Sequence, residues 1–137
     1  MGYYMSENKE ALRISVYSFG FQKSGIPDNE NGDGGGFVFD CRFLPNPFHD
    51  QKLRDFTGLD PEIVRFFSEY RSVKSFIDDC VRMIEKAADS YIERNFLNLQ
   101  VSFGCTGGRH RSVYCAEEFC RIMRSKGYNL EIEHTEI

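Results

Sequence analysis

One long amphipathic segment constrains the fold of this chain more than any other feature. Between residues 72 and 92, apolar side chains recur at spacings of three, four and seven, as in a helix with one apolar face. The members of this stripe are Val73, Phe76, Ile77, Cys80, Val81, Ile84, Ala87, Ala88, Tyr91 and Ile92. A helix of this kind must bury its apolar face against another layer, and the flanking sequence predicts that this layer is a sheet.

Four apolar segments have the composition of strands, being rich in Val, Ile, Leu, Tyr and Phe. Their ranges are 12–19, 36–43, 97–103 and 128–133. Further helices are predicted from Asp60, a capping residue followed by Pro61, and over residues 111–126, with Gly127 as a left-handed stop. Strands that alternate with helices predict an α/β fold: a single three-layer domain with a mostly parallel sheet of about four strands and helices on both faces.

Composition indicates a cytoplasmic protein of one domain, residues 11–137, after a flexible N-terminus, residues 1–10. At 137 residues the chain can bury about two-thirds of its extended surface on folding. Its net charge of −4 argues against nucleic-acid binding driven by the overall charge of the protein. The five cysteines show no Cys-x-x-Cys pairing, so reduced thiols are expected and neither disulfides nor a metal site. No segment approaches the ~18 apolar residues of a membrane span, so no membrane association is expected.

The segment 101–112 predicts an anion-binding turn. An apolar strand runs into Gly107 and Gly108, and the helix that follows opens with three basic residues, 109–111. The free N–H groups of a helix N-terminus favour an anion, and glycines let the backbone curl around it. Basic side chains at this end of a helix oppose its dipole unless an anion is bound. The alternative is a tight strand-to-helix connection whose basic residues face solvent.

Cys105 offers a second interpretation of the same turn. Together with Arg111 it stands in the C-x5-R-S arrangement of cysteine-dependent phosphatases, in which a thiolate at a helix N-terminus attacks phosphorus. Gly104 stands where those enzymes have histidine, and only Asp40 and Asp50 are available, by default, as a general acid. We therefore favour Cys105 as a small buried residue, and catalysis stays an alternative.

Three segments together resemble the carboxy-terminal domain of the RNase adapter protein RapZ family. They are 18–27 (SFGFQKSGIP), 39–47 (FDCRFLPNP) continuing through 53–60 (LRDFTGLD), and 104–114 (GCTGGRHRSVY), in matching order over nearly the whole chain. The resemblance implies a regulatory module that binds small RNA and senses an amino-sugar phosphate in cell-envelope precursor control. The ligand-binding residues it implies are Thr106, Gly107, Gly108, Arg109, His110, Arg111 and Ser112, with Arg42, Asn46 and Lys23 lining the same pocket.

Two departures from that family change what is expected. The full-length family form has a kinase-like domain with a GxxxxGK[ST] phosphate loop, and no such string occurs in this sequence, so neither ATP binding of that type nor another cofactor is expected. RNA-binding members end in a basic tail, whereas residues 131–137 (EIEHTEI) are acidic, which weakens the expected RNA affinity.

The missing kinase-like domain suggests a homo-oligomer or a separately encoded partner protein. A nucleotide- or RNA-binding adapter is a further alternative. Its contacts would come from Arg109 and Arg111 together with Lys52, Arg54, Arg71 and Lys74.

Overall fold

Four parallel strands form the sheet of this protein, seen in a computed structural model that describes residues 9–29, 33 and 35–137. The strands are β1 (Arg13–Gly20), β2 (Gly36–Asp40), β3 (Asn98–Cys105) and β4 (Asn129–His134), and their order across the sheet is β2-β3-β1-β4. Three helices accompany them: α1 (Pro61–Ser68), α2 (Arg71–Glu93) and α3 (Arg111–Ser125). The predicted α/β class and four-stranded parallel sheet are confirmed.

Helices α2 and α3 lie on the same face of the sheet. The ring of Phe39 on β2 packs edge-on against Phe76 of α2, and the ring of Phe103 on β3 lies 5.2 Å from Phe119 of α3. Phe39 and Phe103 are themselves neighbours, with ring centroids 5.4 Å apart. The two rings therefore share one apolar layer beneath both helices.

Part of the opposite face is covered by the segment after β1, and no described helix packs there. The side chain of Gln100 donates to the carbonyl of Pro27, and the ring of Phe21 packs edge-on against Phe19. This differs from the expected helices on both faces. The crossovers from β2 to β3 and from β3 to β4 advance across the sheet in the same direction, so right-handed connections place both on one face.

The ends of two strands differ from the sequence prediction for local reasons. Strand β2 stops at Asp40 instead of residue 43, because the Asp40 carboxylate accepts hydrogen bonds from the backbone N–H and the guanidinium of Arg42 and turns the chain. Strand β3 extends to Cys105, since the carbonyls of Gly104 and Cys105 still accept hydrogen bonds from Cys41 and Phe21. Both differences lie at the carboxyl edge of the sheet, where the candidate site is found.

The helices begin and end at the predicted start and stop residues, but one predicted capping bond is not formed. Pro61 begins α1, and Gly127 after α3 has φ 95°, as its role as a left-handed stop requires. Asp60 precedes α1 as predicted, but its carboxylate accepts from the backbone N–H of Thr57 (2.7 Å) and makes no capping bond to the helix.

Much of the N-terminal segment expected to be flexible, residues 1–8, lies outside the described residues. Lys9 begins a short 3-10 turn, and its ammonium donates to the carbonyl of Lys126. Among the described residues, no helix is long and apolar enough to cross a membrane.

Candidate functional site

The loop between β3 and α3 curls at the carboxyl ends of the strands, against the end of β1. The backbone N–H groups of Phe21 and Gln22 donate to the carbonyls of Cys105 and Thr106 at 2.8 and 3.1 Å. A Cβ on Gly20 would lie 2.7 Å from the carbonyl carbon of Gly107, so only glycine allows the two backbones to approach this closely. The loop is thus fixed from behind by β1, and its front faces a cavity.

This cavity has a volume of about 320 Å³ and is lined by three separate stretches of chain. The lining residues are Lys23, Asn46, Phe48, Arg54, Cys105, Thr106, Gly107, Arg109, His110 and Arg111. Four of these side chains are lysine or arginine, and no described lining residue carries a carboxylate. The structure therefore brings together seven of the ten residues predicted to bind the ligand, in a setting whose charge favours an anion.

Arg111 is the most deeply placed of the four cations. It is only 5% exposed, and its Nη1 donates to the carbonyl of Arg42 at 2.6 Å and to that of Leu44 at 3.3 Å. Its buried Nε has no hydrogen-bond partner among the described residues. Buried polar groups are nearly always paired, and an unpaired N–H on a guanidinium is costly. Arg111 also lines the cavity, and its positive charge there is suited to an anionic ligand.

His110 does not add the positive charge that its sequence position suggests. Its Nε2 lies 2.6 Å from the carbonyl of Phe56, and because a carbonyl only accepts, we assign the proton to Nε2. Burial lowers the pKa of the imidazole below its ordinary value, and the nearby charges of Arg109 and Arg111 lower it further. The ring is therefore neutral at pH 7 and acts as a fixed polar wall.

Cys105, the last residue of β3, lies in the wall of the cavity with its sulfur beside the start of α3. The backbone N–H of Ser112 donates to its Sγ at 3.5 Å, and the Ser112 hydroxyl lies 3.2 Å from the same sulfur. Both residues are buried, and Ser112 itself does not line the cavity. Cys105 and Arg111 thus share one cavity, as a phosphatase would require.

The aspartate that such a phosphatase would use as general acid is not among the described lining residues. The hydrogen bond from Arg42 holds the pKa of Asp40 below its ordinary value, so this carboxyl is ionised and cannot donate a proton at neutral pH. Asp50 accepts a hydrogen bond from the backbone of Lys52 in an exposed turn. Neither aspartate is therefore placed to donate a proton in the cavity.

Two further predicted residues, Arg42 and Gly108, lie outside the cavity. The guanidinium of Arg42 pairs with Asp40 (2.7 Å) and stacks over the ring of Phe21 at 3.9 Å, so only its backbone carbonyl contributes, by anchoring Arg111. Gly108 forms the back of the loop with φ 74°, and a Cβ there would clash with the backbone of Gly20.

Phe48 and Arg54 line the cavity, although the anion-site prediction did not include them. Arg54 was assigned only to the RNA-binding alternative. Its Nε donates to the carbonyl of Phe48, and its guanidinium lies 4.6 Å from the Phe48 ring. Asn46 accepts the backbone N–H of Phe48 at 3.1 Å, which starts the short 3-10 turn Pro47–His49. The signals in the sequence were the place of Phe48 directly after the RFLPNP segment and that of Arg54 within the LRDF segment.

Fold and site together define an α/β domain with a cationic cavity at the carboxyl edge of a parallel sheet. A family model described as the RapZ C-terminal domain matches residues 12–137, and the chain belongs to this family. It is 43% identical over 124 residues to a "Nucleotide-binding protein" of Pseudothermotoga lettingae, covering 90% of this chain and 42% of that protein. Proteins of the same name from Petrotoga mobilis (33% over 133 residues; 97% and 44% covered) and Histophilus somni (40% over 126 residues; 92% and 42% covered) are also similar. The chain spans less than half the length of these relatives.

Proposed function

We propose that this chain is a non-catalytic regulatory module that binds a small phosphorylated ligand in the cavity beside the β3–α3 loop. The observation that carries the proposal is the buried guanidinium of Arg111, which lines a cavity together with three further cations. The first residue of α3, Arg111, lines the same cavity, so the partial positive charge of the helix N-terminus lies beside it. Guanidinium groups bind carboxylate and phosphate oxygens alike in pairs, but four cations in one cavity favour the more highly charged phosphate over a single carboxylate.

Two ligand classes fit this proposal. The RapZ family membership points to an amino-sugar phosphate, and the names of the relatives point to a nucleotide. Both carry a phosphate that the loop would hold, and they differ in the remainder of the molecule. The ring of Phe48, half exposed at the cavity wall, offers an apolar surface to either a sugar or a base.

Phosphorus NMR with this protein separates binding from catalysis. Glucosamine-6-phosphate and adenosine monophosphate are titrated separately and followed for several hours. A shifted or broadened resonance that persists is the expected result for whichever ligand belongs to the site. Growth of free phosphate would instead support the phosphatase alternative through Cys105, and two unchanged spectra would refute the proposed function.

Two variants test whether the ligand binds in the cavity. A Cβ on Gly107 meets nothing within 4 Å, so Gly107→Ala adds a methyl group to the cavity without disturbing the fold, and binding should weaken. Lys23→Ala removes one lining cation and should weaken binding roughly tenfold, the effect of losing one charge-assisted contact. Lys86, exposed on α2, provides the matched control, and Lys86→Ala should bind as the wild type does.

RNA binding is the second candidate, and aromatic rings beside the cavity favour it. Arg54 stacks on Phe48 and Arg42 on Phe21, and rings and guanidinium groups of this kind form stacking surfaces for nucleobases. Lys74, among the basic residues considered for RNA, is already paired with Asp78. Fluorescence anisotropy of a labelled RNA should show affinity that falls steeply with salt, and a flat salt dependence would exclude this role.

A further inference from the structure

The segment after β4 returns to the end of β1 and contacts the turn that carries Lys23. Thr135 donates from both its backbone N–H and its hydroxyl to the carbonyl of Ser18, at 3.0 and 3.1 Å. This pairing places the next residue, Glu136, beside the turn Gly20–Gly25.

The Glu136 carboxylate closes that turn. Its Oε2 accepts from the backbone N–H groups of Gly20 (3.1 Å) and Ser24 (2.9 Å), and its Oε1 accepts from the Ser24 hydroxyl (3.0 Å). Burial, which raises the pKa of this carboxyl, is outweighed by these hydrogen bonds, so its pKa lies below the ordinary value. Glu136 is therefore ionised near neutral pH and satisfies two backbone donors that a turn of this shape would otherwise leave open.

The same side chain packs against the back of the β3–α3 loop. A Cβ on Gly108 would approach Cγ of Glu136 to 2.4 Å, so glycine at this position leaves the space that Glu136 fills. The turn is also joined to the loop by the hydrogen bond from Gln22 N–H to the Thr106 carbonyl. Lys23 lies between these anchors and lines the cavity.

We propose that Glu136 is a positioning residue of the anion site, which holds the turn Gly20–Gly25 against the β3–α3 loop and so directs Lys23 into the cavity. The inference rests on the proposed function, because its consequence is measured as anion affinity. Charge alone makes the opposite prediction, since removing a carboxylate near an anion site should strengthen anion binding. The sign of the effect therefore separates positioning from simple electrostatics.

Calorimetric titration with glucosamine-6-phosphate and with adenosine monophosphate tests the proposal. Glu136→Ala should bind the active probe about tenfold more weakly, the loss expected when one charge-assisted contact no longer forms. Glu136→Gln keeps the shape and an acceptor oxygen and should stay within about threefold of the wild type. Glu133→Ala, which removes an exposed carboxylate from β4, is the matched control and should change nothing.

A double-mutant cycle with Lys23→Ala shows whether Glu136 acts through that lysine. If it does, adding Glu136→Ala to Lys23→Ala weakens binding no further, whereas a general structural effect would add in full. Hydrogen exchange supplies a readout without ligand: the peptide covering residues 20–25 should exchange faster in Glu136→Ala than in the wild type.

The outcomes separate this inference from the proposed function. A wild-type chain that binds neither probe overturns both. Wild-type binding with equal or tighter binding in Glu136→Ala overturns the positioning role alone, as do additive losses in the cycle. Should Glu136→Ala fail to fold, Ser24→Ala removes one of the three hydrogen bonds at an exposed position, and unchanged affinity and unchanged exchange of residues 20–25 would then overturn the proposal.

Discussion

Replacing Arg111 by alanine should destabilise the fold as well as weaken anion binding. The buried guanidinium donates to the carbonyl of Arg42 at 2.6 Å and to that of Leu44 at 3.3 Å. A hydrogen bond that involves a charged group contributes about 1.5–3 kcal/mol, and counting the longer bond at half value gives a loss of about 3 kcal/mol. Loss of these bonds also leaves the two carbonyls without their donor, in the segment that leads from β2 to the cavity.

Thermal unfolding followed by circular dichroism measures this loss. In a domain of this length, 1 kcal/mol lowers Tm by roughly 3–5 °C, so Arg111→Ala should melt about 10 °C or more below the wild type. Arg109→Ala is the matched control, because within the described residues that exposed side chain makes one hydrogen bond, of 3.3 Å, to the Asp55 carbonyl. Its Tm should fall by less than about 3 °C. A decrease in Arg111→Ala no larger than that of the control would refute the structural role of Arg111.

Three further predictions concern the loop and its surroundings. Gly20→Ala should lower the free energy of unfolding by about 1–3 kcal/mol in urea titrations, because its methyl group meets backbone atoms of the loop. Gly35→Ala is the control, since open space surrounds that position and the free energy of unfolding should stay nearly unchanged. In native protein at pH 6, Cys105 is buried and should resist iodoacetate for hours; rapid labelling seen by mass spectrometry would instead favour the phosphatase alternative. Because the pKa of His110 is lowered in the folded state, its contribution to stability is complete above pH 6.5 and is lost as the pH falls through the lowered pKa. The Tm of His110→Gln should therefore fall less than that of the wild type between pH 7.5 and pH 5.5. Equal decreases in Tm would contradict this.

The lining of the candidate site is predictable where one short stretch of sequence determines it. The β3–α3 loop holds a strand end, two glycines and a helix N-terminus within a dozen residues, so local rules suffice to place Thr106 and Gly107 at the cavity. Lys23 and Asn46 were assigned through the family resemblance, and both line the same cavity. Spacing alone could not have brought them there, because they lie on segments distant in sequence.

Side-chain partners and charge states could not be derived from sequence patterns. Arg42 follows a strand at the right edge of the sheet, but Asp40 two residues earlier captures its guanidinium, a local competition that strand periodicity does not reveal. The sequence predicts His110 as a third cation, but burial against a turn more than 50 residues earlier in the chain, where its Nε2 meets the Phe56 carbonyl, lowers its pKa. Phe48 and Arg54 carry no periodic signal, since they belong to an irregular segment.

The layer arrangement was missed for a different reason. Alternating strands and helices place helices on both faces of the sheet only when every connection between strands contains a helix. In this chain the connection from β1 to β2 is instead a glycine-rich segment. With that connection on its own face, both helical crossovers share the other. Strand order, which the sequence does not display, decides the layers.

The assembly of the cavity from separate stretches gives a bound anion the character of a cross-link. The hydrogen bond from Arg111 to the Arg42 carbonyl already connects residues 69 positions apart. An anion that also contacts Lys23 and Arg54 would connect three segments: the turn after β1, the segment after β2 and the start of α3. At a hundred times its Kd, such a ligand adds about 2.7 kcal/mol to the free energy of unfolding. All three segments would then become more resistant to proteolysis together, and the rate at which the chain is cleaved would depend on the ligand concentration.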